Sequence, residues 1–154
     1  MNIRPLNPND VDAASRLCMA AFMDSVASTL TGEGVATFRK LAAAEAFASR
    51  ISEDNLMWLA EVSGQPAGLI ELKQGRHIAM LFISPELQRR GIGRRLLAEA
   101  IKHARSDMLT VSASLPSVPA YLGYGFHCSG EVSESMGIIY QPMELWLDRV
   151  ATGD

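Results

Sequence analysis

The residues best suited to chemistry in this chain sit where an apolar run meets two glycines, in Ile83-Ser84-Pro85-Glu86-Leu87-Gln88-Arg89-Arg90-Gly91-Ile92-Gly93. A buried strand followed by a short loop and a helix beginning at the glycines would leave backbone N–H groups without intrahelical partners. Those groups carry the positive end of the helix dipole and converge on one spot, which suits an anion with several oxygens. Glycine permits the tight turn and lets phosphate oxygens approach the backbone without a Cβ in the way. Arg89, Arg90, Arg94, Arg95, Lys102 and Arg105 surround the turn, opposed only by Glu99 over the same stretch. A pyrophosphate is the natural ligand. The same residues would also serve as a glycine-rich helix start with a solvated basic face. A P-loop is excluded because no Gly-Lys-Ser/Thr follows. A dinucleotide fingerprint is excluded because Arg94, Arg95 and Leu96 stand where a third glycine belongs.

The pattern of the chain gives the elements that must hold this turn. Asn2 to Leu6 reads as an edge strand limited by Pro5 and Pro8. Asp10 is placed to cap a helix running to about Phe22, whose apolar residues recur at helical spacing. Asp24 to Gly34 reads as a loop or broken helix, and Val35 to Ile51 as a second helix with no internal breaker. Met57–Val62 and Ala67–Lys73 form a hairpin through Ser63-Gly64-Gln65-Pro66. His77 to Ser84 is almost wholly apolar, as expected of a central strand buried on both faces. A helix from Gly91 to Arg105, a strand from Met108 to Ala113 and a short helix at Val118–Leu122 follow. Gly125–Ser135 and Ile138–Leu147 close the chain as an antiparallel pair through Met136-Gly137. The expected fold is a mixed α/β domain spanning residues 1–154, not a doubly wound nucleotide fold.

Two segments together resemble one known family. Gln88-x-x-Gly91-x-Gly93 after a strand resembles the acetyl-CoA signature of the GNAT superfamily of N-acetyltransferases. Tyr121-Leu122-Gly123-Tyr124-Gly125-Phe126 looks like that family's Tyr-x-x-x-Gly-Phe segment. The gap between the segments and the order of elements agree, and small bacterial single-domain members are the most similar. The resemblance implies a mixed sheet whose two central parallel strands, here His77–Ser84 and Met108–Ala113, splay apart to admit the pantetheine arm. Backbone groups of Leu81, Phe82 and Ile83 would then pair with that arm like an added strand. The amides of Arg89, Arg90, Gly91, Ile92, Gly93 and Arg94, with Gln88 ahead of them, would hold the pyrophosphate. Ser114 stands where many members carry an asparagine that contacts the cofactor.

The implied reaction is direct attack of a primary amine on the thioester in a ternary complex, with acetyl-CoA as co-substrate and no metal. Tyr121 matches the family's tyrosine and would donate a proton to the leaving thiolate; a neutral phenol can do so. Tyr124 is expected to pack. The base that takes the amine's proton is not fixed by any motif. Glu71, on the strand before the central one, and His77, which opens it, are candidates, beside a route through water. The acceptor is a small-molecule amine or a peptide or protein amine, bounded by about Phe22 to Gly34 and the last hairpin. Asp24 and Glu33 in that stretch read first as the acids of a solvated loop, and second as charges that would attract a cationic amine.

Bulk composition narrows the competing classes. Hydrophobic residues make up 48% and charged residues 20% of 154, which supports a buried core. A net charge of −3 and few aromatics (6%) speak against nucleic acid as partner. Apolar runs stop well short of the roughly 20 residues a membrane span needs. The start, Met1-Asn2-Ile3-Arg4-Pro5, lacks a signal-peptide core, so a cytoplasmic location is expected. Cys18 and Cys128 are far apart and read as small core residues. A homodimer is compatible with the resemblance. The alternative function is a non-catalytic acyl-CoA-binding or regulatory module that kept the cradle and lost turnover.

Overall fold

The computed structural model describes residues 1–148; residues 149–154 of the expected domain span lie outside the described residues. The strands are β1 (Asn2–Pro5), β2 (Asn55–Val62), β3 (Gln65–Lys73), β4 (His77–Ile83), β5 (Met108–Ser114), β6 (His127–Cys128), β7 (Ser133–Ser135) and β8 (Ile138–Trp146). The helices are α1 (Val11–Ser25), α2 (Gly32–Leu41), α3 (Ala44–Ile51), α4 (Ile92–Ile101) and α5 (Val118–Tyr124). The sheet runs β1-β2-β3-β4-β5-β8-β6, with β7 paired to β8. All pairs are antiparallel except β4 and β5. It is a mixed α/β sheet with helices on both faces, as expected.

Strand alternation sorts side chains into two cores. Trp58 and Ala60 of β2, and Ile70 and Leu72 of β3, pack under Ile92, Leu96, Leu97 and Ala100 of α4. Met57, Leu59 and Leu69 point the other way, onto Leu17, Cys18 and Phe22 of α1, Phe38 of α2 and Phe47 of α3. β4 breaks this alternation. Ile78 belongs to the α4 core and Met80 to the α1–α3 core, although residues two apart in a regular strand share a face. A bulge reconciles them: β3 pairs Glu71 with Met80 and Leu72 with Ile78, which leaves Ala79 over. The extra residue bends and twists the strand. The β4–β5 ladder runs only through His77↔Thr110 and Ile78↔Val111 and stops where the bulge begins. β5 meanwhile stays paired to β8 along its full length, from Met108↔Trp146 to Ser114↔Tyr140. The two parallel strands therefore part beyond Ile78.

Several expectations need correction. The helix expected over Val35–Ile51 begins earlier, at Gly32, and breaks at Ala42-Ala43, where Ala43 is extended (φ −66°, ψ 148°). Phe38 and Phe47 explain the break. Nine residues apart, they would lie about half a turn out of phase on one continuous helix. The kink lets both enter the same core, with Ala42 buried at the bend. The first helix also runs on to Ser25, so less of Asp24–Gly34 is loop than the composition suggests. α4 ends at Ile101, not Arg105. The first arm of the closing hairpin is two short pieces, β6 and β7. Cys128 is exposed, because β6 is the sheet's outermost strand; Cys18 is in the core as expected. β4 is not buried throughout: Ala79 is exposed and Leu81, Phe82 and Ile83 are half-buried, because they face the opening between the strands.

Candidate active site

A cleft of about 830 Å³ occupies the gap that the bulge opens. β4 lines one wall with Ile78 to Ile83, and β5 the other with Val111 to Ser114. At one end stand the loop after β4 and the start of α4, contributing Gln88, Arg89, Gly91, Ile92, Gly93 and Arg94. Across the sheet, at the other end, stand residues of α1, α2 and the first residues of β8.

The cradle forms for local reasons. Pro85 starts a single turn of 3-10 helix at Pro85–Leu87, and Ser84 Oγ donates to Glu86 Oε2 (2.6 Å), which fixes the exit from β4. The chain then takes two left-handed steps, at Arg89 (φ 65°) and at Gly91 (φ 79°), the residue that begins α4. Gly91 adopts this conformation at no steric cost, whereas Arg89 is strained. Strain of this kind concentrates at ligand sites, where the backbone is aimed at the ligand. Gly93 is needed for a different reason. A Cβ there would run into the hydroxyl of Tyr124, and the Tyr124 ring is wedged against α4. Arg94 lies over that ring at 5.3 Å and donates from Nη2 to the carbonyl of Gly123 (3.0 Å). Arg94 thus ties the cradle helix to α5.

α5 carries Tyr121 into the same cleft. Its ring is buried (6% exposed) and meets Tyr124 and Phe126 edge to face, at 5.8 and 5.2 Å between centroids. Burial, and then the neighbouring Tyr124, push the Tyr121 phenol well above its ordinary value, so it keeps its proton at any physiological pH. Gly125 (φ 104°) ends α5 and turns the chain so that Phe126 enters the α4 core. Ser114 reaches the cleft wall at the end of β5, where its hydroxyl donates to Ser117 Oγ (2.8 Å).

The cleft gathers Leu81, Phe82, Ile83, Gln88, Arg89, Gly91, Ile92, Gly93, Arg94, Ser114 and Tyr121 from the expected set; Arg90 is not among its lining residues. Neither candidate base lines it. Glu71 is fully buried on the α1–α3 face of β3, where its Oε2 accepts from Arg50 Nε (2.8 Å) and Asn55 Nδ2 (2.5 Å). Its Oε1 has no hydrogen-bond partner. His77 sits at the closed end of the fork, its Nδ1 2.7 Å from Thr110 Oγ1 on β5. Burial, and then Lys73 and Arg76, hold its pKa below the ordinary value, so it is neutral near pH 7.

The far end of the cleft was only outlined by sequence. It includes Phe22 and Val26, as the expected stretch suggested, but Phe38, Leu41 and Met80 as well. Phe22 and Phe38 stack in parallel (4.0 Å, 4°), and Phe38 meets Phe82 edge to face (5.3 Å). Asp24 and Glu33 do not line it; Asp24 Oδ2 instead accepts from Ser25 Oγ (3.0 Å). The wall is locked by a close backbone contact. Gly34 of α2 lies against Gly137 at the β7–β8 turn with no room for a Cβ on either, and Thr37 Oγ1 donates to the Met136 carbonyl (2.6 Å).

Comparison with known proteins agrees with this geometry. The family model described as an acetyltransferase (GNAT) domain matches residues 26–147. The uncharacterized N-acetyltransferase YafP of Escherichia coli is 40% identical over 70 residues, which is 46% of this chain and 45% of that protein. The peptidyl-lysine N-acetyltransferase YiaC of the same organism is 32% identical over 71 residues, 46% of this chain and 49% of that one. The chain thus aligns with about half the length of these curated relatives. Among solved structures, a GCN5-related N-acetyltransferase from Rhodopseudomonas palustris superposes with a TM-score of 0.82 at 24% identity, over 95% of each chain. The PaiA N-acetyltransferase of Thermoplasma acidophilum, in complex with coenzyme A, gives 0.76 at 22%, over 94% of this chain and 98% of that one.

Proposed function

This chain belongs to the GNAT family of acetyltransferases, and we propose that its cleft binds acetyl-CoA and passes the acetyl group directly to a primary amine. The observation that carries the reading is the continuity of the open β4–β5 fork with the left-handed turn at Gly91. Beyond Ile78 the β5-facing edge of β4 has no strand partner, so Leu81, Phe82 and Ile83 can pair with an extended amide-bearing arm. Amides from Arg89 to Arg94 then meet the pyrophosphate at the positive end of α4.

The chain's own residues supply the rest. The bulge at Ala79 opens the fork beside the β4 backbone, whose N–H groups can stabilise charge developing on the carbonyl oxygen. The amine attacks the acetyl carbon, the C–N bond forms and the C–S bond breaks. The sulfur takes a proton for which Tyr121 is the donor, and water restores the phenol with the proton that the amine sheds. The amine's surplus proton leaves by water, since no carboxylate or histidine lines the cleft among the described residues. Glu71 and His77 act on the scaffold: one anchors α3 to β3 through Arg50, and the other joins β4 to β5 at the base of the fork.

The test is a calorimetric titration of acetyl-CoA, followed by release of CoA thiol with an amine panel. Tyr121→Phe should keep acetyl-CoA affinity and lose turnover. Tight binding without turnover on any amine would favour a non-catalytic module instead.

A further inference from the structure

Resting on that reading of the cleft, we infer that the acceptor is an apolar monoamine with an aromatic or branched-alkyl body, and not a polyamine or another acceptor with a second positive charge. The end of the cleft across the sheet from the cradle is lined by Phe22, Val26, Leu30, Phe38, Leu41 and Ile138, with Ser25 as a lone polar side chain among the α1 and α2 contributions. The parallel Phe22–Phe38 stack and the Phe38–Phe82 edge contact build an aromatic wall there. The clasp between Gly34 and Gly137 holds α2 against the β7–β8 turn, so the wall is formed before any acceptor arrives.

Charge points the same way. The titratable side chains lining the whole cleft, among the described residues, are Arg89, Arg94, Tyr121 and Tyr124. An ammonium group in such surroundings would lose its hydration and find no counter-charge. Desolvation instead favours the neutral amine, which is the form that attacks. The step balances without a protein base: the neutral nitrogen bonds to the acetyl carbon, the thiolate leaves with a proton, and the extra proton on nitrogen passes to water. A second cationic group on the acceptor would meet the same barrier with no carboxylate lining the cleft, among the described residues, to offset it; the aromatic faces alone would return only a small part of the cost.

The experiment compares phenethylamine, spermidine and a lysine-containing peptide as acceptors for the full chain saturated with acetyl-CoA, with CoA thiol release as the readout. Melting shifts of the CoA-loaded protein with each acceptor report binding independently of turnover. The expected result is a kcat/KM for phenethylamine at least about 100-fold above that for spermidine, the scale that an unpaired buried charge imposes. Leu41→Asp gives the converse. Leu41 lines the cleft yet is 47% exposed, so the substitution spares the core. It should narrow the ratio by about tenfold, as one new charge–charge contact would. Preference for spermidine or the lysine peptide, equal use of all three, or phenethylamine that neither reacts nor shifts melting would overturn the inference. If acetyl-CoA binds and either of the other amines releases CoA thiol in those cases, the acetyltransferase reading stands and the acceptor inference alone falls; if acetyl-CoA binds but no amine reacts, or if acetyl-CoA itself fails to bind, both fall.

Discussion

Replacing Gly93 with alanine should destabilise the protein through one identified collision, and a second substitution should relieve it. The backbone at Gly93 is ordinary helix, so alanine faces no conformational barrier there. Alanine's helix preference over glycine would by itself add up to about 1 kcal/mol of stability. The new Cβ, however, falls inside the contact distance of the Tyr124 hydroxyl. That hydroxyl cannot simply swing away, because the Tyr124 ring is held by Tyr121 on one side and Arg94 on the other. Overpacking costs about 1–3 kcal/mol, and a collision this deep against a held ring belongs to the upper part of that range, about 2–3 kcal/mol. The net loss should be roughly 1–2 kcal/mol, or a fall in Tm of about 2–8 °C for a chain of this size. Tyr124→Phe removes the oxygen and leaves the ring carbon at 3.4 Å, an ordinary contact. The double variant Gly93→Ala/Tyr124→Phe should therefore melt above the single Gly93→Ala variant. Thermal unfolding of the four proteins, free and with acetyl-CoA, measures the cycle. A Gly93→Ala protein as stable as the wild type, or a double variant no better than Gly93→Ala alone, would refute the assigned contact.

Tyr121→Phe should lower kcat by about 10²–10⁴-fold, the usual range for a lost general acid, with acetyl-CoA affinity unchanged by calorimetry. Arg50→Met should cost about 3–5 kcal/mol in a chemical unfolding titration, because it strands the fully buried Glu71 carboxylate, one of whose oxygens already lacks a partner. His77 sets a pH dependence of stability. Its pKa in the fold lies below the unfolded value of about 6.5, so the unfolded chain binds the proton more readily. Stability should be full above that pH and decline as pH falls through it. His77→Gln should flatten this part of the Tm–pH profile, and an unchanged slope would remove His77 as its source.

The cradle was legible because its chemistry is local: Pro85, Gly91, Gly93 and the arginines lie within a dozen residues, and each acts through the backbone next to it. Tyr121 and Gly125-Phe126 were marked by the resemblance; Tyr121 lines the same cleft and Phe126 enters the α4 core. What sequence did not disclose depends on contacts between distant segments. The bulge at Ala79 carries no glycine and no break in the apolar run His77–Ile83; it follows from Ile78 and Met80 being drawn into opposite cores. The split of α2 from α3 has no proline or glycine to announce it, only the phase conflict between Phe38 and Phe47. In sequence Glu71 is a candidate base on its strand; its carboxylate is held instead by Arg50 and Asn55, both well removed from it along the chain. The acids of the Asp24–Gly34 stretch read first as a solvated loop and only second as a lure for a cationic acceptor; neither lines the cleft, whose far end is apolar. Gly93 shows both kinds of information at once. Its place in the motif is local, while its intolerance of a Cβ comes from Tyr124, on another helix.

The most direct test of the acetyl-CoA site is a titration of the nitrogen-15-labelled protein with acetyl-CoA, followed amide by amide. The expected result is large, saturable shifts at Leu81, Phe82 and Ile83 on the open edge of β4 and at Arg89 to Arg94 around the start of α4, with His77 and Glu71 little changed. Shifts confined to the exposed faces of α2 and α3, or none at saturating acetyl-CoA, would contradict the assignment of the fork and its cradle as the acetyl-CoA site.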